Sequence, residues 1–303
     1  MLFYDPIYSS LELPSRHRFP ISKYHKLKTR LANSELESHI KPVPQPASHQ
    51  QLSRCHSQEY IEAFCHGTMT STEIKRMGFP WSKQLVKRTL TSVGASIAAA
   101  NHALQHGFSA NLAGGYHHAF GDKASGFCIF NDLAIAACEL LETGRVDSVL
   151  ILDCDVHQGD GTASILQSQA NIVTCSLHCE QNFPRLKESS DYDFALPSGT
   201  QDSDYLTTLK QAMDLCVRMH QPDIILYNAG ADIFDKDELG YFNISMQGVF
   251  NREAFILDYC YEHQIPLMCA LGGGYQRNTD ELVTVHQQLF NALTASPYIS
   301  CKN

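Results

Sequence analysis

The stretch Ser148-Val-Leu-Ile-Leu-Asp-Cys-Asp-Val-His-Gln-Gly-Asp-Gly161 starts as a short apolar run and ends in carboxylates, an imidazole and glycines. Five apolar-rich residues are too few for a helix, so Ser148–Leu152 reads as a buried strand. The same design recurs on both sides. Ala110–Ala113 leads into Gly114-Gly-Tyr-His-His118, Ile224–Asn228 into Ala229-Gly-Ala-Asp232, and Pro266–Leu271 into Gly272-Gly-Gly-Tyr275. Ile172–Leu177 is a further strand of this type. Helical patterns lie between these runs. Ser82 caps a helix to about Gln105 that stops at Gly107, and Asn131 caps one through Leu141 that stops at Gly144. Asp204–His220, Phe250–His263 and Asn278–Leu293 complete the set. Strands alternating with helices, with no hairpin turn between neighbouring strands, predict an α/β domain with a mainly parallel sheet covered on both faces. Right-handed crossovers then put every strand C-terminus on one side, where open sheets bind ligands. Residues 1 to about 80 read as irregular, with short segments around His25–Leu31 and Gln58–His66 and a loop at Lys41–Pro46.

Composition narrows the function. The 303 residues carry a formal charge of −9, which argues against nucleic-acid binding and is compatible with cationic substrates. No apolar run approaches the ~18 residues of a membrane span. The N-terminus carries Asp5 and lacks a basic segment ahead of an apolar one, so no secretory signal is expected and a cytoplasmic location is. Eleven cysteines without a C-x-x-C pair read as reduced thiols packed as small hydrophobes.

Asp153-x-Asp155-x-His157 places two carboxylates and an imidazole on one face of extended chain. Such a set wastes solvation unless a cation holds it. Asp232, at another strand end, supplies a further carboxylate. Three protein ligands with an open position mark a catalytic zinc, and an Asp₂His set also accepts Fe(II). The adjacent His117 and His118 suit acid/base work, with Asp153 and Asp160 as the carboxylates that fix their tautomers. Tyr275, behind three glycines, offers a phenol to a developing oxyanion. Phosphate-loop, dinucleotide and nucleophile-elbow motifs are missing.

In this order the motifs resemble the histone deacetylase family, of the arginase–deacetylase fold. Tyr4-Asp-Pro, His17-Arg-Phe-Pro and Gly126-Phe-Cys-Ile-Phe-Asn-Asp132 add to the resemblance, as does Leu239-Gly240. His157-Gln158 and Tyr275-Gln-Arg277 are similar to the class IV branch and its bacterial lysine deacylase relatives, whereas Asp160 is closer to the other classes. The resemblance implies a single catalytic domain over residues 1–303, with a roughly eight-stranded parallel sheet. It implies a zinc-dependent amidohydrolase that removes acetyl or longer acyl groups from lysine side chains. Asp155, His157 and Asp232 match the zinc ligands. His118, partnered by Asp160, matches the general base and acid; His117, partnered by Asp153, matches the second histidine; Tyr275 matches the carbonyl-polarising phenol. Gly126, Phe127, Phe183 and Gly273 match the substrate channel. A structural K⁺ would use Asp153, Asp155, His157, Ser176 and Leu177.

The partner so implied is an acyl-lysine peptide or protein. An acylated polyamine is the alternative substrate, and a catalytically silent acyl-lysine binder the alternative from another class. A ureohydrolase needs a second metal and a further ligand set, of which the sequence offers none.

Overall fold

The computed structural model describes residues 1–300. Its sheet has eight strands: β1 (Leu2–Tyr4), β2 (Ile40–Pro42), β3 (Phe108–Asn111), β4 (Val149–Asp153), β5 (Ile172–Cys179), β6 (Tyr192–Leu196), β7 (Ile224–Asn228) and β8 (Leu267–Ala270). All pairings are parallel, in the order β2-β1-β3-β8-β7-β4-β5-β6. Every residue of β4, β5, β7 and β8 is buried, as in a sheet whose two faces are both covered. The α/β class and the parallel sheet expected from the alternation are therefore what the chain forms.

Register matters more than strand count. Asn111 pairs with Ala270, Ala270 with Asn228, and Asn228 with Asp153, so the last residues of β3, β8, β7 and β4 form one row across the sheet centre. The four loops that follow must open at the same level and side by side. These are the four polar runs singled out in the sequence.

The helices match the capping signals. Lys83–His106 is capped by Ser82 and closes at Gly107 (φ +84°); Asp132–Glu142 is capped by the Asn131 side chain. Asp202–His220, Met246–Glu262 and Thr279–Ala295 differ from expectation by a few residues at their ends. Among the described residues no helix is long and apolar enough to cross a membrane.

The N-terminal reading needs correction. Residues 1 to about 80 hold two strands and the helices Lys23–Ala32, His49–Leu52, Gln58–His66 and Ser71–Met77. Strands of three residues are too short to show alternation, and β1 exists because β2 and β3 supply its partners. Pro42 ends β2, which is the sheet edge and so tolerates a residue without a backbone donor. The strand expected at Ala110–Ala113 begins earlier, at Phe108. The opposite edge strand, β6, alternates half-buried and exposed residues and was not anticipated, nor was the short helix Asp160–Leu166.

Candidate active site

The histidine loop is held from beneath by Asp132. Its Oδ1 accepts from Tyr116 N at 2.8 Å and its Oδ2 from Gly115 N at 3.2 Å and Ser96 Oγ at 2.5 Å. Gly115 (φ +75°) must be glycine, since a Cβ would stand 2.4 Å from Asn228 Oδ1. With that loop pinned, His117 and His118 turn inward, each about 4% exposed. His117 Nδ1 lies 2.7 Å from Asp153 Oδ2, and His118 Nδ1 lies 2.6 Å from Asp160 Oδ1. Each carboxylate thus engages Nδ1 and leaves Nε2 for other work.

The two imidazoles differ electrostatically. Burial pulls the His117 pKa down, but Asp153 and Asp155 outweigh it and raise it to about 9. Burial pushes His118 well below the ordinary imidazole value, and the neighbouring His117 and His157 push the same way. Burial raises the Asp160 carboxyl to about 6. A neutral imidazole beside a charged one is the arrangement that leaves His118 able to accept a proton.

Asp155, His157 and Asp232 come together from the β4 and β7 loops, with one donor atom of each within 4.8 Å of the others. All three are buried. His157 Nδ1 is 2.9 Å from Asp155 Oδ1 and 3.3 Å from Asp232 Oδ2. Asp232 Oδ1 accepts from Val156 N at 3.0 Å, while its buried Oδ2 receives no hydrogen bond. Burial opposes charge on His157, yet Asp155 and Asp232 raise its pKa to about 10. Burial likewise opposes the Asp155 carboxylate, yet His117 and His157 hold it at about 2. Two buried carboxylates therefore demand a cation at this point, and the imidazolium proton fills that need. A divalent metal fits the same donor set by displacing that proton. Among the described residues this is the one such cluster of metal-binding side chains. Gly273 (φ +57°) completes the cradle: a Cβ there would meet Asp232 Oδ2 at 2.4 Å and Asp155 Oδ2 at 2.6 Å.

A cavity of about 270 Å³ opens onto this centre, lined by His118, His157, Gly126, Phe127, Phe183 and Tyr275 among others. Phe127 adopts φ +66°, a strained conformation for an aromatic residue. Packing against Phe79 (ring centroids 5.5 Å apart) and Phe19 (5.6 Å) holds it there. Phe183 sits edge-on to His118 at 4.8 Å and is 47% exposed, at the mouth. Tyr275 lies 5.9 Å from the Phe127 ring and 6.4 Å from His157. Burial, with Asp155 next, raises its pKa well above the ordinary phenol value, so the hydroxyl keeps its proton and can donate it in a hydrogen bond. Its backbone N donates to Asp237 Oδ2 at 2.7 Å. Ser176 and Leu177 are buried on β5, and Ser176 pairs in register with Asp153. A void of about 10 Å³ is lined in part by Asp153, Gly159 and Ser176.

The sequence reading missed several supports. Arg252 is buried and donates through Nη1 to Cys154 O (3.1 Å) and Gly230 O (2.8 Å), tying together the loops that carry Asp155 and Asp232. Glu253 balances it at 2.5 Å and accepts from Tyr227 OH at 2.9 Å. An arginine inside the apolar stripe of a helix was the available signal. Lys23, from the segment read as irregular, is 4% exposed and donates through Nζ to Gly273 O. Breaking a buried ion pair leaves an uncompensated charge, so Arg252→Ala should cost about 3–5 kcal/mol, read from the urea midpoint. A change under ~1 kcal/mol would make the pair unimportant to the loops.

Comparison with known proteins gives one consistent result. A histone deacetylase domain matches residues 17–292. An uncharacterised protein of Picosynechococcus sp. is 41% identical over 95% of this chain and 96% of its own length. Histone deacetylase clr6 of Schizosaccharomyces pombe is 30% identical over 90% of this chain and 72% of its own, and histone deacetylase 2 of Arabidopsis thaliana 28% over 92% and 74%. The crystal structure of the HDA15 HD domain superposes with a TM-score of 0.82 over 97% of this chain and 88% of that one, at 21% identity, a likeness of fold.

Proposed function

Because the chain belongs to the histone deacetylase family, we propose that it is a zinc-dependent lysine deacylase acting as one catalytic domain over residues 1–303. The observation that carries the reading is the Asp155–His157–Asp232 cluster beside the His118–Asp160 pair on a cavity with aromatic walls. The substrate is an acetylated, or longer-chain acylated, lysine on a peptide or protein in the cytoplasm.

Asp155, His157 and Asp232 hold the metal, Zn²⁺ or Fe²⁺, which when bound polarises an amide carbonyl and acidifies water. Phe127 and Phe183 flank the methylene stem of the lysine, which has no polar group to satisfy. His118 takes the proton of the attacking water at Nε2, since Nδ1 is engaged by Asp160, and later delivers a proton to the departing amine. His117, raised towards the charged form by Asp153, adds positive charge behind the reacting group. Tyr275 donates its hydroxyl proton in a hydrogen bond to the carbonyl oxygen as charge develops there. A K⁺ held by Asp153, Asp155, His157, Ser176 and Leu177 would stiffen the β4 and β5 ends; the void beside Asp153 and Ser176 has room for about one water-sized occupant.

An interaction that strengthens in the transition state lowers kcat more than it raises KM. Tyr275→Phe should lose about 10²–10³ in kcat with metal content unchanged. An unchanged kcat would leave Tyr275 a packing residue. The reading as a whole is tested by a panel of acetyl-lysine peptide, longer acyl-lysine peptides and acetylspermidine, with the metal measured in the same preparation. Hydrolysis of the peptides is expected. Hydrolysis of acetylspermidine alone would make the enzyme a polyamine amidohydrolase, and binding without any turnover would make it an acyl-lysine reader.

A further inference from the structure

Cys55 and Cys138 lie 83 residues apart in sequence, yet their sulfurs approach to 3.5 Å. Both are partly exposed. Cys138 sits on the helix Asp132–Glu142 and lines a surface cavity of about 290 Å³ together with Ser53 and Arg54. Cys55 lies in the turn between the helices His49–Leu52 and Gln58–His66. We propose that Cys55 and Cys138 form an oxidation site at which a hydroperoxide is reduced and an intramolecular disulfide is made. The proposal does not rest on the deacylase reading.

The two thiols are unequal. The hydrogen bond from Cys55 lowers the Cys138 pKa; burial opposes this and the Arg54 guanidinium adds to it. The same bond and burial push the Cys55 thiol well up. Cys138, which with Arg54 lines the open cavity while Cys55 does not, is therefore the nucleophile, since the reactive form is an accessible thiolate. Its thiolate attacks the peroxide O–O bond, giving Cys138 sulfenic acid and water from H₂O₂ once a proton is taken up. The Cys55 sulfur then displaces hydroxide from that sulfenic acid, which leaves as a second water with the Cys55 proton. Two thiols and one H₂O₂ become one disulfide and two waters, the thiols losing the two electrons that the peroxide gains. A disulfide needs its sulfurs at about 2.0 Å, so bond formation closes the 3.5 Å gap between them.

The molecule contains its own control. Cys175 and Cys216 are also neighbours, but they are 1% and 0% exposed. Access is absent, so this pair should stay reduced. The oxidisable pair stands next to a structural clasp. His56 follows Cys55, and its ring meets Phe120 O at 2.9 Å through Nδ1 and accepts from Asn131 N at 3.0 Å through Nε2, bracketing the segment that continues from His117 and His118.

The test is peptide mapping of the metal-loaded chain after stoichiometric H₂O₂, with free thiols alkylated under denaturing conditions and digestion without reductant. One Cys55–Cys138 linked peptide is expected, reversed by dithiothreitol, with Cys175 and Cys216 alkylated. In Cys55→Ser, dimedone should label Cys138; in Cys138→Ser, no linked peptide should form and Cys55 should label more slowly. A thermal transition recorded for each variant confirms that it is folded. Free Cys55 and Cys138 after peroxide treatment, or a Cys175–Cys216 linkage forming as readily, would overturn the proposal. So would faster dimedone labelling of Cys55 in Cys138→Ser than of Cys138 in Cys55→Ser.

Discussion

Asp232→Ala should abolish metal binding and turnover together. In the proposed centre Asp232 would supply one of three ligands, and its Oδ2 is a buried carboxylate oxygen that receives no hydrogen bond. The expected loss of metal affinity therefore exceeds the roughly 10–100-fold that follows removal of an outer-shell partner. Stability provides a second readout. Metal binds the native state and so raises the thermal midpoint of the parent chain; the variant should show no such rise. Without metal the variant should still fold, losing about 1–3 kcal/mol for the Val156 N–H that Asp232 Oδ1 accepts, while the Asp155 carboxylate keeps His157 Nδ1 at 2.9 Å. Full metal content in Asp232→Ala, with a near-normal rate, would remove it from the ligand set.

His118→Ala should leave the metal in place and slow the chemical step by about 10²–10⁴, the usual range for a lost acid/base group. His118 touches none of the three ligand atoms by hydrogen bond; its Nδ1 partner is Asp160. The metal titration curve of the variant should overlay that of the parent. His117→Ala should cost less at the chemical step, since burial and its neighbours keep His118, not His117, in the neutral form. Pre-steady-state rates for the two variants decide the matter. A dead His117 variant beside an active His118 variant would exchange the two roles.

The legible part of this molecule is the centre of the sheet. Five-residue apolar runs such as Ile224–Asn228 become fully buried strands, and the polar residues that follow them are where an open parallel sheet places ligands. His117, His118, Asp155, His157, Asp232 and Tyr275 were readable as candidates because they are six reactive side chains that follow four strand ends. The edges were not readable. β1 and β2 have three residues each; β2 pairs only with β1, and β1 is held on its other side by β3, more than 100 residues later in the chain. Their pairing is a tertiary fact with no local trace. Supports such as Asp132 and Arg252 were visible only as a helix-start acid and an odd cation in an apolar stripe. Neither signal says which loop the side chain will hold. Cys55 and Cys138 show the same limit: spacing in sequence could not bring together two sulfurs that the fold sets 3.5 Å apart.

The most direct test of the central claim is a zinc titration of chelator-treated protein, following acetate released from an acetyl-lysine peptide. The account predicts no release before metal is added, a rate that climbs linearly and breaks at one zinc per chain, and a flat line for Asp232→Ala. Full acetate release from metal-free protein, or a break at two metals per chain, would contradict a deacylase built on the single Asp155–His157–Asp232 centre.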